Sequence, residues 1–295
     1  NGRLGGSVDY FNKSTKDLLF LQDYPAPSAA TRRWINLPGV VENRGVELGL
    51  NFGAIQTSKF NWEIVYNATF LHNEVKDFGS RNVITGDIHG QGLTGAYSQV
   101  IRDGYPLGSF FLPWFTGFDP QGFNQYSDPS ALSEIVGSAI PKFTTGLTNN
   151  FSFGKWNASI FLNAATGFYI YNNTANAYFL KGSLKNGRNV SYDAASSPEN
   201  PLNSGGVSTR FLEKGDFLRL SNATLGYTFA LTDSRALKTL RVSLQGQNLF
   251  LITNYSGIDP EVSTNKARDN VPSRGIDYTA YPSARTFTLS LNAGF

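Results

Sequence analysis

Four groups of residues carry side chains that do chemistry elsewhere. Gly90-Gln91-Gly92-Leu93-Thr94-Gly95 has the glycine spacing of a phosphate-cradling loop. That chemistry needs a strand before it, a helix after it and a βαβ unit, and here the run sits in a Gly-rich, otherwise β-patterned stretch. A flexible loop is the expected role. His72 and Glu74 form an H-x-E pair, but the second histidine, His89, makes no motif that completes a zinc site. Glu47 and Glu63 are two carboxylates on consecutive strand-like segments. Such a pair performs acid–base chemistry when placed face to face; the alternative is a solvated pair, or one neutralised by a cation such as Arg241. No G-x-S-x-G elbow appears and the chain has no cysteine, so the serine elbow, thiolate nucleophiles and thiolate metal sites fall away. The expectation is a non-enzyme without cofactor or metal. Aromatics in irregular stretches are the richer signal: Trp114, Phe115, Phe118, Tyr126, Tyr169, Tyr171, Tyr178 and Tyr192. Set among polar neighbours, they hold sugar rings or peptide side chains, or they pack loop on loop.

The elements that position these residues are strands. Phe60, Trp62, Ile64, Tyr66, Ala68 and Phe70 alternate with Asn61, Glu63, Val65, Asn67, Thr69 and Leu71, a period of two. The same alternation predicts about ten strands, near 4–21, 40–54, 60–71, 94–101, 108–118, 143–153, 156–164, 216–229, 240–252 and 286–295. A short helix is expected near 175–184. In the last strand Phe287, Leu289, Leu291, Ala293 and Phe295 share one face and small polar residues the other.

The connections alternate in length. Short ones are expected at 55–59, 102–107, 154 and 230–238, and long ones at 24–39, 77–92, 119–142, 170–215 and 253–284. Short turns at one end and long loops at the other characterise outer-membrane barrels. Glu47, Glu63, Asn67, Asn157, Asn163, Asn222, Arg241, Gln245 and Gln247 fall on the faces opposite the apolar ones. A sandwich core would lose a few kcal/mol for each such group left unpartnered; a wet lumen holds them. Phe60, Trp62, Phe153, Trp156, Tyr227 and Phe229 suit interfacial girdles.

Composition agrees. Of 295 residues, 40% are hydrophobic and only 16% charged, below the ~25% of ordinary globular chains. A net charge of +3 is too small to argue for nucleic acid or an anionic surface as partner. No run approaches the ~18 apolar residues of a membrane-spanning helix. The chain opens at Asn1 and has no methionine, so an internal start is expected.

Several segments resemble the C-terminal part of SusC/RagA-type TonB-dependent transporters of Bacteroidetes. They are Val8-Asp9-Tyr10-Phe11-Asn12-Lys13-Ser14-Thr15-Lys16-Asp17-Leu18-Leu19, Val41 to Leu48, Arg102 to Phe110, Phe217 to Tyr227, Gln247-Asn248-Leu249-Phe250 with Thr253, Tyr255, Gly257, Asp259, Pro260 and Glu261, and Tyr281-Pro282 with Arg285-Thr286-Phe287. They span nearly the whole chain in the family's order. The resemblance implies an all-β, antiparallel transmembrane barrel of about 22 strands, of which this chain supplies the last ten or so, residues 1–295 lacking the plug and the N-terminal strands. It implies active import of large nutrients, oligosaccharides or peptides, across the cell outer membrane. It implies a SusD-like surface lipoprotein as lid, TonB–ExbB–ExbD acting through the missing N-terminal part, and the barrel-insertion machinery reading Phe287, Leu289, Leu291 and Phe295. Trp114, Phe115, Tyr126, Tyr169 and Tyr171 would face substrate or lid. Two alternatives stand beside it: a passive porin or adhesin barrel complete in itself, and a secreted glycan-binding β-sandwich or propeller.

Overall fold

The computed structural model describes residues 2–24, 27–203, 205–231 and 237–295. Asn1, Pro25 and Ala26 of the proline-rich connection, and residues 232–236 of the expected 230–238 turn lie outside the described residues.

Eight strands form one antiparallel sheet in chain order: β1 (Leu4–Thr15), β2 (Val40–Gln56), β3 (Phe60–Lys76), β4 (Phe143–Phe153), β5 (Trp156–Thr166), β6 (Phe217–Ala230), β7 (Thr239–Thr253) and β8 (Thr286–Gly294). Alternating side chains build its two faces. Register sets Val8 beside Leu48, Leu48 beside Ala68, and Leu225 beside both Ala158 and Leu244. Leu4, Val8, Tyr10, Phe70, Phe153, Leu244, Leu289 and Leu291 stand exposed on the apolar face, as a lipid-facing surface requires. β1 and β8 pair on one side only, and the sheet is an open wall.

Two irregularities keep that face apolar. Ala54 is a bulge in β2, which turns Ile55 outward opposite Trp62. In the second, Ser221 of β6 faces Asn248 and Leu249 of β7; Asn248 takes φ +53° there. Leu218 and Leu220 therefore point the same way as Ala223 and Leu225, although their parity differs.

The expected strand count is corrected from ten to eight. Residues 94–101 and 108–118 do not enter the wall. Strands Tyr97–Arg102 and Ser109–Pro113 pair with Asn82–Asp87 and Ser133–Ser138 in a separate four-stranded sheet, and Phe115–Phe118 pairs with Asn124–Tyr126. The reason is burial on both faces. Val100, Phe110 and Leu112 are fully enclosed, but so are Ser98, Gln99 and Ser109, whose hydrogen bonds go to backbone carbonyls, those of Ser98 and Ser109 nearby and that of Gln99 in the last connection. The 102–107 connection is accordingly no wall turn. The wall connections that result contrast more sharply: 57–59, 154–155 and 231–238 at one end, and 16–39, 77–142, 167–216 and 254–285 at the other. An even count leaves β8 ending on the short-turn side, as expected.

The long connections fold into a crown with its own dry core. Ile88, Leu93, Phe110, Leu112, Ala139, Tyr171 and Ile276 cluster there. A three-stranded sheet of Leu212–Lys214, Tyr169–Asn172 and Ile276–Asp277 joins two of the long loops. Gln99 ties a third long connection to the last one: its Nε2 donates to the Arg274 carbonyl at 2.6 Å, and its Oε1 accepts from the Arg274 N–H at 3.2 Å. The amide side chain thus substitutes for a missing strand residue. The helices are short: α1 (Asn173–Tyr178) and α2 (Tyr192–Ser196), with a 3-10 turn at Lys181–Asn186.

Candidate functional site: a recess in the crown

A cavity of about 560 Å³ opens in the crown between α1, α2 and the 254–285 connection. Asn172 caps α1, accepting from the Ala175 N–H at 2.9 Å, and its Nδ2 donates to Glu213 Oε1 at 3.1 Å. Glu213 also accepts from the Ser256 N–H at 2.6 Å. Asp277 accepts from the Tyr255 hydroxyl at 2.7 Å and from Thr174 Oγ1 at 3.2 Å. Burial, and then the hydrogen bond to Asp277 and its charge, push the Tyr255 hydroxyl well above the usual tyrosine range. Phe179, Phe211, Ile258 and Tyr281 supply apolar lining.

Asp259 connects recess and wall. Arg219 of β6 lies opposite Asn163 on the polar face. Its Nη2 donates to Asp259 Oδ1 at 2.5 Å, and its Nε sits 2.8 Å from a Glu261 carboxylate oxygen. Ser283 Oγ donates to the other Asp259 oxygen at 2.8 Å. The recess thus stands over the polar, luminal face of the wall.

A second polar centre braces the crown. Arg210 forks onto Glu199 at 2.6 and 2.9 Å, and the Glu199 side chain is wholly buried. Burial alone would raise its carboxyl. The Arg210 fork, the Lys181 N–H and Asn203 outweigh burial and hold it below the usual carboxylate range. The Arg210 guanidinium lies over the rings of Phe115, Phe118 and Phe211 at 5.7, 4.9 and 4.9 Å, a cation–π cage.

The predicted aromatics separate by position. Trp114 is exposed at the crown surface, and Phe115 and Tyr126 are half-buried with their rings edge to face. Tyr169 is half-buried against the crown core; Tyr171 is enclosed within it and accepts from Asn176 Nδ2 at 3.0 Å. Tyr178 stacks on Tyr278, and Tyr192 is exposed on α2. Phe287, Leu289, Leu291 and Phe295 are all exposed at the outward face and end of β8.

The enzymatic alternatives find no geometry. Register places Glu47 opposite Asp9 and Thr69, and Glu63 opposite Gly53 and Asn150. Six positions along antiparallel partners set the two carboxylates about 20 Å apart, so the expected neighbourhood is corrected. Arg241 donates to Asn157 Oδ1 at 2.6 Å. His72 meets Glu74 at 3.3 Å; among the described residues no group of three or more His, Cys, Asp or Glu comes together to hold a metal. Gly90, Gly92 and Gly95 take positive φ in crown turns. Arg210, Glu199, Glu213 and Asp277 were not singled out from sequence. Tyr255 and Asp259 lie in the quoted Y-G-DPE segment, which was the available signal.

A wall apolar on one face and polar on the other, with short turns at one end and a folded crown at the other, is the wall of an outer-membrane β-barrel. Residues 1–249 match the family model described as TonB dependent receptor-like, beta-barrel, and the chain belongs to that family, one of outer-membrane receptors and not of enzymes. TonB-dependent receptor SusC of Bacteroides thetaiotaomicron is 30% identical over 321 residues, covering 100% of this chain and 30% of that protein. TonB-dependent receptor P3 of Formosa agariphila is 27% identical over 328 residues, covering 100% of this chain and 33% of its own length. The chain thus spans about a third of the curated relatives it matches. A solved structure of the RagAB peptide transporter superposes with a TM-score of 0.79 over 99% of this chain and 33% of that one, at 20% identity, a likeness of fold. The SusC/RagA resemblance read from the motifs is borne out.

Proposed function

We propose that this chain is the C-terminal barrel portion of an active importer of large nutrients, oligosaccharides or peptides. A plug and the first barrel strands, on the remainder of the protein, complete it. The recess over the luminal face carries this reading: it is a ligand-sized, mixed polar and apolar cavity tied by Asp259 and Arg219 to the wall of the passage. A ligand caught there is already on the route inward. Trp114, Phe115 and Tyr126 present the aromatic surface to substrate or to a SusD-like lipoprotein lid, and Tyr169 and Tyr171 support it from behind. TonB–ExbB–ExbD, working through the plug, supplies the energy. The outward row Phe287, Leu289, Leu291 and Phe295 is the signal read by the insertion machinery.

The test is uptake in cells carrying the full-length receptor. Filling the recess with Ala280→Trp should abolish growth on the imported nutrient and leave surface expression intact. Undiminished growth in that variant would defeat the reading. Co-purification from native membranes tests the lid separately.

A further inference from the structure

The floor of the crown recess carries charge that the protein does not neutralise. Register sets Glu213 beside Ile170, and Asp277 beside Asn172, two residues further along the same central strand. Cross-strand partners share a face, as do residues two apart. Both carboxylates therefore rise from one face of the three-stranded sheet, their backbones about 12 Å apart on either side of the Tyr169–Asn172 strand. Both line the recess, and Asp277 is only 5% exposed. A third carboxylate, Asp193, stands exposed at the rim on α2.

The cations nearby are already engaged. Arg210, which also lines the recess, forks onto Glu199, and Arg219 serves Asp259 and Glu261. Glu213 takes only neutral donors: Asn172 Nδ2 and Ser256 Oγ on one oxygen, the Ser256 N–H on the other. Asp277 takes the hydroxyls of Tyr255 and Thr174. A carboxylate offers about four acceptor positions, so both keep room for further donors. Buried charge is ordinarily paired. Here, among the described residues, no lysine or arginine pairs with either carboxylate, and the recess opens beside them.

We propose that the recess selects peptides by a basic side chain, lysine or arginine, whose cationic head rests against Glu213 and Asp277; the proposal rests on the import reading above. The alkyl stem lies along Phe179, Phe211 and Ile258, which line the recess. Such side chains bury an apolar stem behind a charged end. An ammonium or guanidinium donates and never accepts, which matches a floor of spare acceptors and engaged donors. A neutral sugar ring matches it poorly. Its hydroxyls seek donors as well as acceptors, and it brings no charge to two carboxylates sharing one cavity.

The test measures binding of three capped pentapeptides, Gly-Gly-X-Gly-Gly with X lysine, norleucine or glutamate, to the full-length receptor purified from native membranes. Norleucine keeps the stem and drops the charge. The lysine peptide should bind at least about tenfold more tightly than the norleucine peptide, the scale of a hydrogen bond to a charged group, and the glutamate peptide most weakly. Glu213→Gln with Asp277→Asn should bring the lysine-to-norleucine ratio to about one in a barrel that stays heat-modifiable. Equal binding of the lysine and norleucine peptides by the unmodified receptor overturns the proposal. So does a preference that survives the double substitution. A glucosamine tetramer binding as tightly as the lysine peptide overturns the assignment to peptides. Ala280→Trp keeps the two readings apart. Growth lost in that variant, with equal binding of the two peptides, strikes charge selection alone, whereas undiminished growth strikes import through the recess.

Discussion

The indole Nε1–H of Trp62 donates to Asn149 Oδ1 at 3.1 Å, on the face that the wall turns to lipid. Asn149 lies opposite Ile64 and Ile160, so its amide sits where no water can partner it. Trp62 thus does more than mark an interface. Trp62→Phe should destabilise the barrel by about 1 kcal/mol, the scale of a hydrogen bond within lipid, whereas Asn149→Leu should be neutral or stabilising. Unfolding of the reconstituted full-length barrel in urea, read as a double-mutant cycle, checks both. A coupling energy near zero between the two changes would show the bond to be incidental.

Arg210 neutralises a carboxylate that water does not reach. Arg210→Met should loosen the crown by about 3 kcal/mol, because Glu199 is left charged without its cation, held only by the Lys181 N–H and Asn203. Limited proteolysis of the extracellular loops reads this directly. The pH dependence follows from sign. The folded carboxyl titrates below its ordinary 4.5, so its stabilisation is complete above that value and disappears as pH falls through the lower folded one. Glu199→Gln should flatten the acid limb of crown stability.

Asp259 should matter to wall and recess together. Asp259→Asn removes the charge facing Arg219 but leaves Glu261 at 2.8 Å. The cost should therefore fall below the ~3–5 kcal/mol of a buried pair wholly broken. Uptake should fall more than stability, since Asp259 also lines the recess. Parallel melting and uptake measurements separate the two effects.

Trp114→Ala tests the exposed end of the aromatic surface. Its loss should raise the nutrient concentration for half-maximal uptake about tenfold, as truncating an aromatic anchor does, with unchanged melting because the ring is outside the crown core. An unchanged uptake curve would assign Trp114 to no contact.

The wall was legible because lipid on one side and water on the other impose a strict period of two on β1 to β8. The crown was not. Residues 97–102 and 109–113 are strands too, but Ser98, Gln99 and Ser109 face folded protein, with Ser98 and Ser109 bonded to nearby backbone and Gln99 to Arg274, far along the chain. Periodicity reports that two faces differ, not what covers each. The bulges at Ala54 and Ser221 were hidden for a related reason: each inserts a residue without breaking the apolar composition around it. Arg210 belongs to no periodic pattern at all. Its partners Glu199, Phe115 and Phe118 come from separate loops, and a single sequence gives no sign of their meeting.

The mutual hydrogen bonds between Gln99 and Arg274 make the crown depend on the end of the chain. They close a loop of 175 residues, and Thr85 reaches Val271 across 186. Both partners in the last connection lie beyond β7 in the chain. Without them the Gln99 amide and the Thr85 hydroxyl lack the acceptors that let them be buried. The shut crown therefore ties the first half of the chain to its last connection, and loss of that connection would leave both groups buried without these partners.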